Sequence, residues 1–359
     1  MSKEFTSLGL MSGTSGDGVD ASIIKSDGKS RYKVVLDKYF KYNQEIIDEI
    51  FRLKEKINII KDLETFSKEL NALEKKITLF HAVSISKIIL KENIDLVGFH
   101  GQTIFHSSKD KISIQLGDGK LLNQILKKNI IYKFRQNDLR NGGEGAPLAP
   151  IFHKLLVDIK KIKLPVSILN LGGIANITSI QNQNEIFSSD IGPGNCLIDR
   201  WIKNNSNKHY DNNGEIAQSG KINKIILDQA LDTFYNNDTS KIKSYDTKDF
   251  DLGFVRGLSL EDGAATLTSY TSEILSKKIL AASIFVCGGG RKNKFLVQSV
   301  QEKIKGKIKF IDDLGVDGDF IESQAFAYLA IRSYLKLPIS FPETTGCLKP
   351  SSGGILINC

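Results

Sequence analysis

Two apolar runs near the N-terminus, residues 5–11 and 19–24, are rich in alternating and β-branched positions and predict two strands. Between them lies a stretch of small residues, Ser12-Gly-Thr-Ser-Gly-Asp-Gly18, so the chain opens as strand, glycine loop, strand. A turn signal at Asp27-Gly28-Lys29-Ser30 and a third apolar run at 32–36 extend this to an antiparallel meander. Residues 44–53 predict a helix, and 63–90 a longer one. In the latter, Leu63, Phe66, Leu70, Leu73, Ile77 and Phe80 recur at three- and four-residue steps and form a core-facing stripe. A short apolar strand at 94–99 runs into His100-Gly-Gln-Thr103. Strands at 112–116 and 130–134 flank a helix at 121–127.

The segment Gly142-Gly-Glu-Gly-Ala-Pro147-Leu-Ala-Pro150 is dense in breakers and predicts a boundary between two lobes. Beyond it the opening pattern returns: a strand at 166–169, the turn Asn170-Leu-Gly172-Gly173-Ile-Ala-Asn176, and a strand at 177–180. A strand at 185–189 leads into Asp190-Ile-Gly-Pro-Gly-Asn195, with a helix starting near Cys196. Helices at 222–235 and 259–279 follow. A strand at 283–286 ends in Cys287-Gly288-Gly289-Gly290, and an alanine-rich helix at 323–335 precedes a short strand-like end. The expected class is α/β, with one lobe over 1–135, a second over 136–339, and a tail of about 340–359 returning to the first.

Glycines in the first loop let the backbone turn tightly, and successive N–H groups there make a nest for an anion, most often phosphate. Gly13, Thr14, Ser15, Gly16, Asp17, Gly18, Val19 and Asp20 are the candidate phosphate-binding residues. Asp17 and Asp20 suit a phosphate when a cation lies between, and Mg²⁺ held by Asp17 through water or phosphate oxygens meets that need. No Lys follows these glycines as a P-loop requires, and the spacing is not that of a dinucleotide fingerprint. An ordinary hairpin loop is the plainer alternative. His100 and Gln102, after an apolar strand, could hydrogen-bond a sugar or phosphate, although a lone His is more often structural. Arg135 carries a planar fork suited to carboxylate or phosphate, with Asp138 able to orient it; a surface ion pair is the alternative. Asp190 sits where a general base belongs, or else caps a turn. Gly288, Gly289 and Gly290, between strand and helix, can seat a nucleotide against bare backbone. Glu322 falls in the first turn of its helix, where dipole compensation alone would also explain it.

Composition narrows this little. The chain has 359 residues, a formal net charge of +8 and lysines scattered without a basic block, so nucleic-acid binding is not indicated. A modest positive field would favour an anionic substrate. No long apolar span suggests export or a membrane, and the four cysteines, Cys196, Cys287, Cys347 and Cys359, form no C-x-x-C pair, so a reduced, cytoplasmic protein is expected. The histidines show no zinc spacing.

Taken together, Met11-Ser-Gly-Thr-Ser-Gly-Asp-Gly-Val-Asp20, His100-Gly-Gln-Thr103, Arg135 with Asp138, Gly142-Gly-Glu-Gly-Ala-Pro147, Asn170-Leu-Gly-Gly-Ile-Ala-Asn176, Asp190-Ile-Gly-Pro-Gly-Asn195, Cys287-Gly-Gly-Gly290 and Gly318-Asp-Phe-Ile-Glu322 closely resemble the anhydro-N-acetylmuramic acid kinases, over nearly the whole length. That family belongs to the actin–hexokinase–acetate kinase superfamily. The resemblance implies a two-lobed actin-like sugar-kinase fold, each lobe a mixed sheet flanked by helices, with the active site in the interlobe cleft. It implies ATP-dependent opening of 1,6-anhydro-N-acetylmuramic acid with phosphorylation at O6, in the recycling of cell-wall fragments, and suggests a homodimer. It matches Asp190 to the catalytic aspartate, the residues from Gly13 to Asp20 to ATP phosphates, Gly172 and Gly173 to a second phosphate turn, and Gly288–Gly290 to the nucleoside. His100, Gln102, Arg135, Asp138 and Glu322 fall in sugar-site segments. Three places depart from the family pattern: Lys133 stands where many relatives carry Asp, the loop at 243–250 differs from the common form, and Ser323 replaces an Ala after Glu322. A simple sugar or acid kinase of this fold, and a non-enzymatic actin-like nucleotide switch, are the competing readings.

Overall fold

A computed structural model describes residues 3–13, 15–107, 109–237 and 244–359; Thr14 and Lys243 therefore lie outside the described residues. The elements run β1 (Phe5–Ser12), β2 (Gly18–Ser26), β3 (Tyr32–Lys41), α1 (Gln44–Lys56), α2 (Ile60–Thr65), α3 (Ser67–Ile89), β4 (Leu96–Ser107), β5 (Ile112–Leu116), α4 (Gly119–Leu126), β6 (Asn129–Tyr132), α5 (Gln136–Arg140) and α6 (Pro150–Ile159). They continue with β7 (Val166–Leu171), β8 (Ile174–Asn182), β9 (Glu185–Pro193), α7 (Cys196–Asn205), α8 (Glu215–Ser219), α9 (Lys224–Asn237), α10 (Leu260–Lys278), β10 (Ser283–Cys287), α11 (Lys294–Gln301), β11 (Lys307–Phe310), α12 (Ile321–Tyr334), α13 (Pro342–Thr345) and β12 (Ile355–Ile357). The chain forms two compact units. One comprises Met1–Lys161 with Phe320–Cys359, the other Ile162–Asp319.

The first unit is built on a seven-stranded mixed sheet in the order β12-β6-β4-β1-β2-β3, with β5 pairing β4. The meander is antiparallel as the alternation predicts, whereas β4 runs parallel to β1 and to β6. Alternation along β1 sends Leu8 and Leu10 to one face, where Ile46, Ile50, Leu53, Leu73 and Ile77 of α1 and α3 cover them. Gly9 faces the other way. An added Cβ there would lie 1.9 Å from the Ser323 carbonyl, so the absence of a side chain lets α12 lie directly on the sheet. Asn43 caps α1, its Oδ1 accepting from the Ile46 N–H at 2.9 Å.

The second unit carries a five-stranded sheet, β11-β10-β7-β8-β9. Here β7, β8 and β9 form an antiparallel meander, and β10 runs parallel to both β7 and β11. Leu197, Ile198, Trp201, Leu267, Ile274, Leu296 and Val300, from three helices, close over Leu169, Leu171 and Val286 in one apolar core.

Several expectations are corrected. The helix expected over 63–90 breaks at Phe66, whose φ of −97° and ψ of 15° leave the helical region; Asp62 Oδ2 accepts from the Asn58 and Ile59 N–H groups and starts α2 separately. The stripe still reports burial, since Leu63 and Phe66 pack against the same core. The strand expected to end at 99 continues to Ser107, because β5 returns and pairs with its second half; His100 and Gln102 are strand residues. Likewise β9 continues past Asp190, which pairs with Asn176 rather than standing at a strand end. The first unit extends to Lys161 and includes α12, where the sequence placed breaks at 135/136 and 339/340. Phe152 of α6 explains part of this, lying edge-on to Tyr32 and near Tyr328 of α12.

Candidate active site

In the first unit, the loop between β1 and β2 is held from three sides. Gly16 turns at φ +62° and donates its N–H to the Gly13 carbonyl at 3.2 Å. Gln102 Nε2 donates to the same carbonyl at 2.9 Å, and its Oε1 is buried with no hydrogen-bond partner among the described residues. Tyr42 N–H and Tyr39 O–H both donate to the Asp17 carbonyl, at 2.9 and 3.1 Å. Ser15 Oγ donates to exposed Asp17 Oδ1 at 2.5 Å. Gly18, Val19 and Asp20 belong to β2, and the Val19 side chain is buried in the core, so it faces away from any ligand of the loop.

His100, Arg135 and Asp138 come together in the same unit. His100 Nδ1 donates to the Gly101 carbonyl at 2.8 Å, which leaves Nε2 as the acceptor. Arg135 Nε and Nη2 donate to it at 3.2 and 3.1 Å. Burial and the adjacent guanidinium hold the His100 imidazole neutral, well below its usual range. Asp138 acts on Arg135 through Gly145: its Oδ2 accepts the Gly145 N–H at 2.7 Å, and the Gly145 carbonyl accepts from Arg135 Nη1 at 2.8 Å. Thr345 Oγ1 donates to Asp138 Oδ1 at 2.6 Å. Glu322 lies in the first turn of α12, one turn before Phe326, whose ring sits 4.4 Å from His100. Its neighbour Ser323 shares a 2.6 Å hydrogen bond with Ser22, which donates to Asp37; the Ser323 departure is thus accommodated by partners on β2 and β3. Lys133 adopts φ +57°, a region that Asp and Asn enter more readily.

In the second unit, Asn170, Gly172, Gly173, Gly194, Asn195 and the Gly288–Gly290 turn converge. The Gly194 and Asn195 N–H groups donate to the Gly173 and Gly172 carbonyls, both at 2.9 Å. A Cβ on Gly194 would lie 2.1 Å from the Gly172 carbonyl oxygen, so only glycine fits this approach. Parallel pairing sets Cys287 against Asn170 and brings the triple glycine beside Leu171. Gly289 would carry a Cβ into open space. The glycines run into a short 3-10 turn before α11, not directly into a helix. Asp190 Oδ2 accepts the Tyr245 N–H at 2.8 Å. Asp246 and Asp249 cap the turn that follows Tyr245, so the loop that departs from the family pattern delivers a backbone donor to Asp190.

Sequence reasoning did not single out Tyr245, Tyr42, Asn195 or Arg291. Arg291 follows the triple glycine and is 7% exposed. It donates to the Gly288 carbonyl at 3.2 Å, to Asp312 at 2.8 and 2.9 Å and to Asp319 at 2.5 Å. These bonds hold the Asp312 and Asp319 carboxyls below their usual range. Arg291→Met is expected to cost about 2–3 kcal/mol of stability, below the figure for a fully buried pair because Asp312 and Asp317 stay partly hydrated. Urea denaturation at pH 7 checks it, and a loss under 1 kcal/mol would refute it.

Among the described residues, no helix is long and apolar enough to cross a membrane. The profile of the family described as "Anhydro-N-acetylmuramic acid kinase" matches residues 5–358. A protein of that name from Pelagibacter ubique (strain HTCC1062) is 54% identical over 99% of both chains. One from Zymomonas mobilis subsp. mobilis is 36% identical over 97% of this chain and 98% of its own. A ROK family glucokinase from Streptomyces griseus, solved with glucose and AMPPNP, superposes over 90% of this chain at 10% identity with a TM-score of 0.42. On its sequence, end to end, this chain belongs to the anhydro-N-acetylmuramic acid kinase family.

Proposed function

We propose that this chain uses ATP and water to convert 1,6-anhydro-N-acetylmuramic acid to N-acetylmuramic acid 6-phosphate, with Asp190 as the base. Family membership over the full length carries the reaction class; the oriented carboxylate among the glycine turns supports the role of Asp190. Asp190 takes a proton from water as its oxygen bonds to the anomeric carbon. The bond from that carbon to O6 breaks, O6 bonds to the γ-phosphorus, and ADP leaves with the former bridging oxygen. The proton on Asp190 then passes to solvent. Positioning dominates such a transfer, and the base contributes about 10²–10⁴-fold.

The residues between Gly13 and Asp20 are assigned to the ATP phosphates, Gly172 and Gly173 to a second phosphate contact, and Gly288–Gly290 to the nucleoside. The neutral His100 with Arg135, positioned by Asp138, and Glu322 and Gln102 are assigned to the sugar side; Gln102 also anchors Gly13. Mg²⁺ would neutralise phosphate charge. Asp17, exposed on the first loop, is the residue that would hold this ion through water and phosphate oxygens. The same reading places the enzyme in the cytoplasm as a homodimer.

ADP release with Mg-ATP tests the proposal, comparing the anhydro sugar with open N-acetylmuramic acid. Turnover of the anhydro sugar at least tenfold above the open one is expected. Preference for the open sugar, or ATP hydrolysis that no sugar stimulates, would overturn it.

A further inference from the structure

Beneath the first glycine loop lies a buried polar chain that the reaction above does not use. Ser12, the last residue of β1, is 1% exposed, and its Oγ lies 2.7 Å from Tyr42 Oη and 3.5 Å from His81 Nε2. Tyr42 and His81 are 2% and 0% exposed. His81 Nδ1 lies 2.8 Å from the Ile77 carbonyl, which can only accept, so Nδ1 carries the proton and Nε2 offers a lone pair. The donors then have one consistent order, from Tyr42 O–H to Ser12 and from Ser12 O–H toward His81. Burial favours this order, since it holds the phenol protonated and the imidazole neutral. Tyr42 also donates its backbone N–H to the Asp17 carbonyl at 2.9 Å.

One residue therefore grips both ends of the loop. Its side chain fixes Ser12, just before Gly13, and its main chain fixes Asp17. The ring is itself set, edge-on to Phe80 at 4.9 Å. No ligand contact is needed for this grip to matter, because the nest of N–H groups exists only at one separation of its ends. We infer that Tyr42 is a positioning residue for phosphoryl transfer, holding Ser12 and Asp17, the two ends of the first glycine loop, at the separation that phosphate binding needs. This rests on the assignment of that loop to the ATP phosphates.

Tyr42→Phe removes one hydroxyl and keeps the ring packing, and Ser12→Ala removes its partner. In the full chain with Mg-ATP and the anhydro sugar, each is expected to raise KM for ATP about tenfold, the scale of one buried hydrogen bond. KM for the sugar should stay within twofold. Because both act through one chain of bonds, the double variant should be no worse than about the poorer single one. Binding of a non-hydrolysable ATP analogue, followed by calorimetry, should weaken in parallel. That readout stands even if the sugar assignment fails, so the two failures are distinguishable. An unchanged analogue affinity in Tyr42→Phe would overturn the inference. Equal rises in both KM values with a lowered Tm would also overturn it, since that is the signature of general loosening.

Discussion

Asp190→Asn is expected to lower kcat on the anhydro sugar by roughly 10³-fold while leaving KM for ATP within twofold. The change keeps the shape of the side chain, and the Asn Oδ1 can still accept the Tyr245 N–H that Asp190 Oδ2 accepts now. The neighbouring turns should persist, because they are fixed by main-chain bonds from Gly194 and Asn195 to the Gly172–Gly173 carbonyls. What is lost is the capacity to hold a proton. Water must then attack the anomeric carbon without a base, so the loss falls on the chemical step and not on nucleotide binding. A drop under tenfold in steady-state kinetics would remove Asp190 from the base role. A tenfold or larger rise in KM for ATP would reassign it to nucleotide positioning.

Residues that act through local backbone were legible in the sequence. Glycine turns between apolar runs announce themselves because both the permissive residue and its strands are contiguous, as at Gly13–Gly18 and Gly172–Gly173. What could not be read is partnership across the chain. Gln102 meets the Gly13 carbonyl across 89 positions, and Asp138 meets Thr345 across 207. Tyr245 reaches Asp190 across 55. Tyr42 has no motif of its own; it precedes a helix cap, and its value comes from three elements meeting at Ser12. Strand lengths failed for a related reason. His100 and Gln102 look terminal because the apolar run stops, yet a second strand supplies pairing partners that keep the ladder going. Periodicity reports which side is buried, not whether the backbone continues, and Phe66 shows both halves of that statement.

Acidification is expected to weaken the first unit and spare the second. His81 and His153, both in the first unit, are fully buried, and burial pushes each down to about 4. His100 is held low as well, by burial and by Arg135. In the unfolded chain each would titrate near 6.5. Between about pH 6.5 and 4 the unfolded state therefore binds protons that the folded state refuses, so stability falls as pH falls through that window. Above it the contribution is fully present. For His81 and His153 the loss is about 3 kcal/mol each, and two such terms rival the whole stability of an ordinary domain. Asp199, in the second unit, has the opposite sign. Burial, reinforced by Asp211, raises it to about 7, so the folded second unit binds a proton that the unfolded chain would take up only near 4. Its charged form is a liability at neutral pH that acid relieves. Hydrogen exchange followed peptide by peptide between pH 7.5 and 4.5, corrected for the intrinsic rate, separates the two. Residues 3–161 should lose protection as pH falls, while 162–319 should hold or gain it. His81→Gln and His153→Gln should flatten the first trend, and Asp199→Asn the second. Uniform protection across the pH range in both units would refute the assignment of these three shifts to burial.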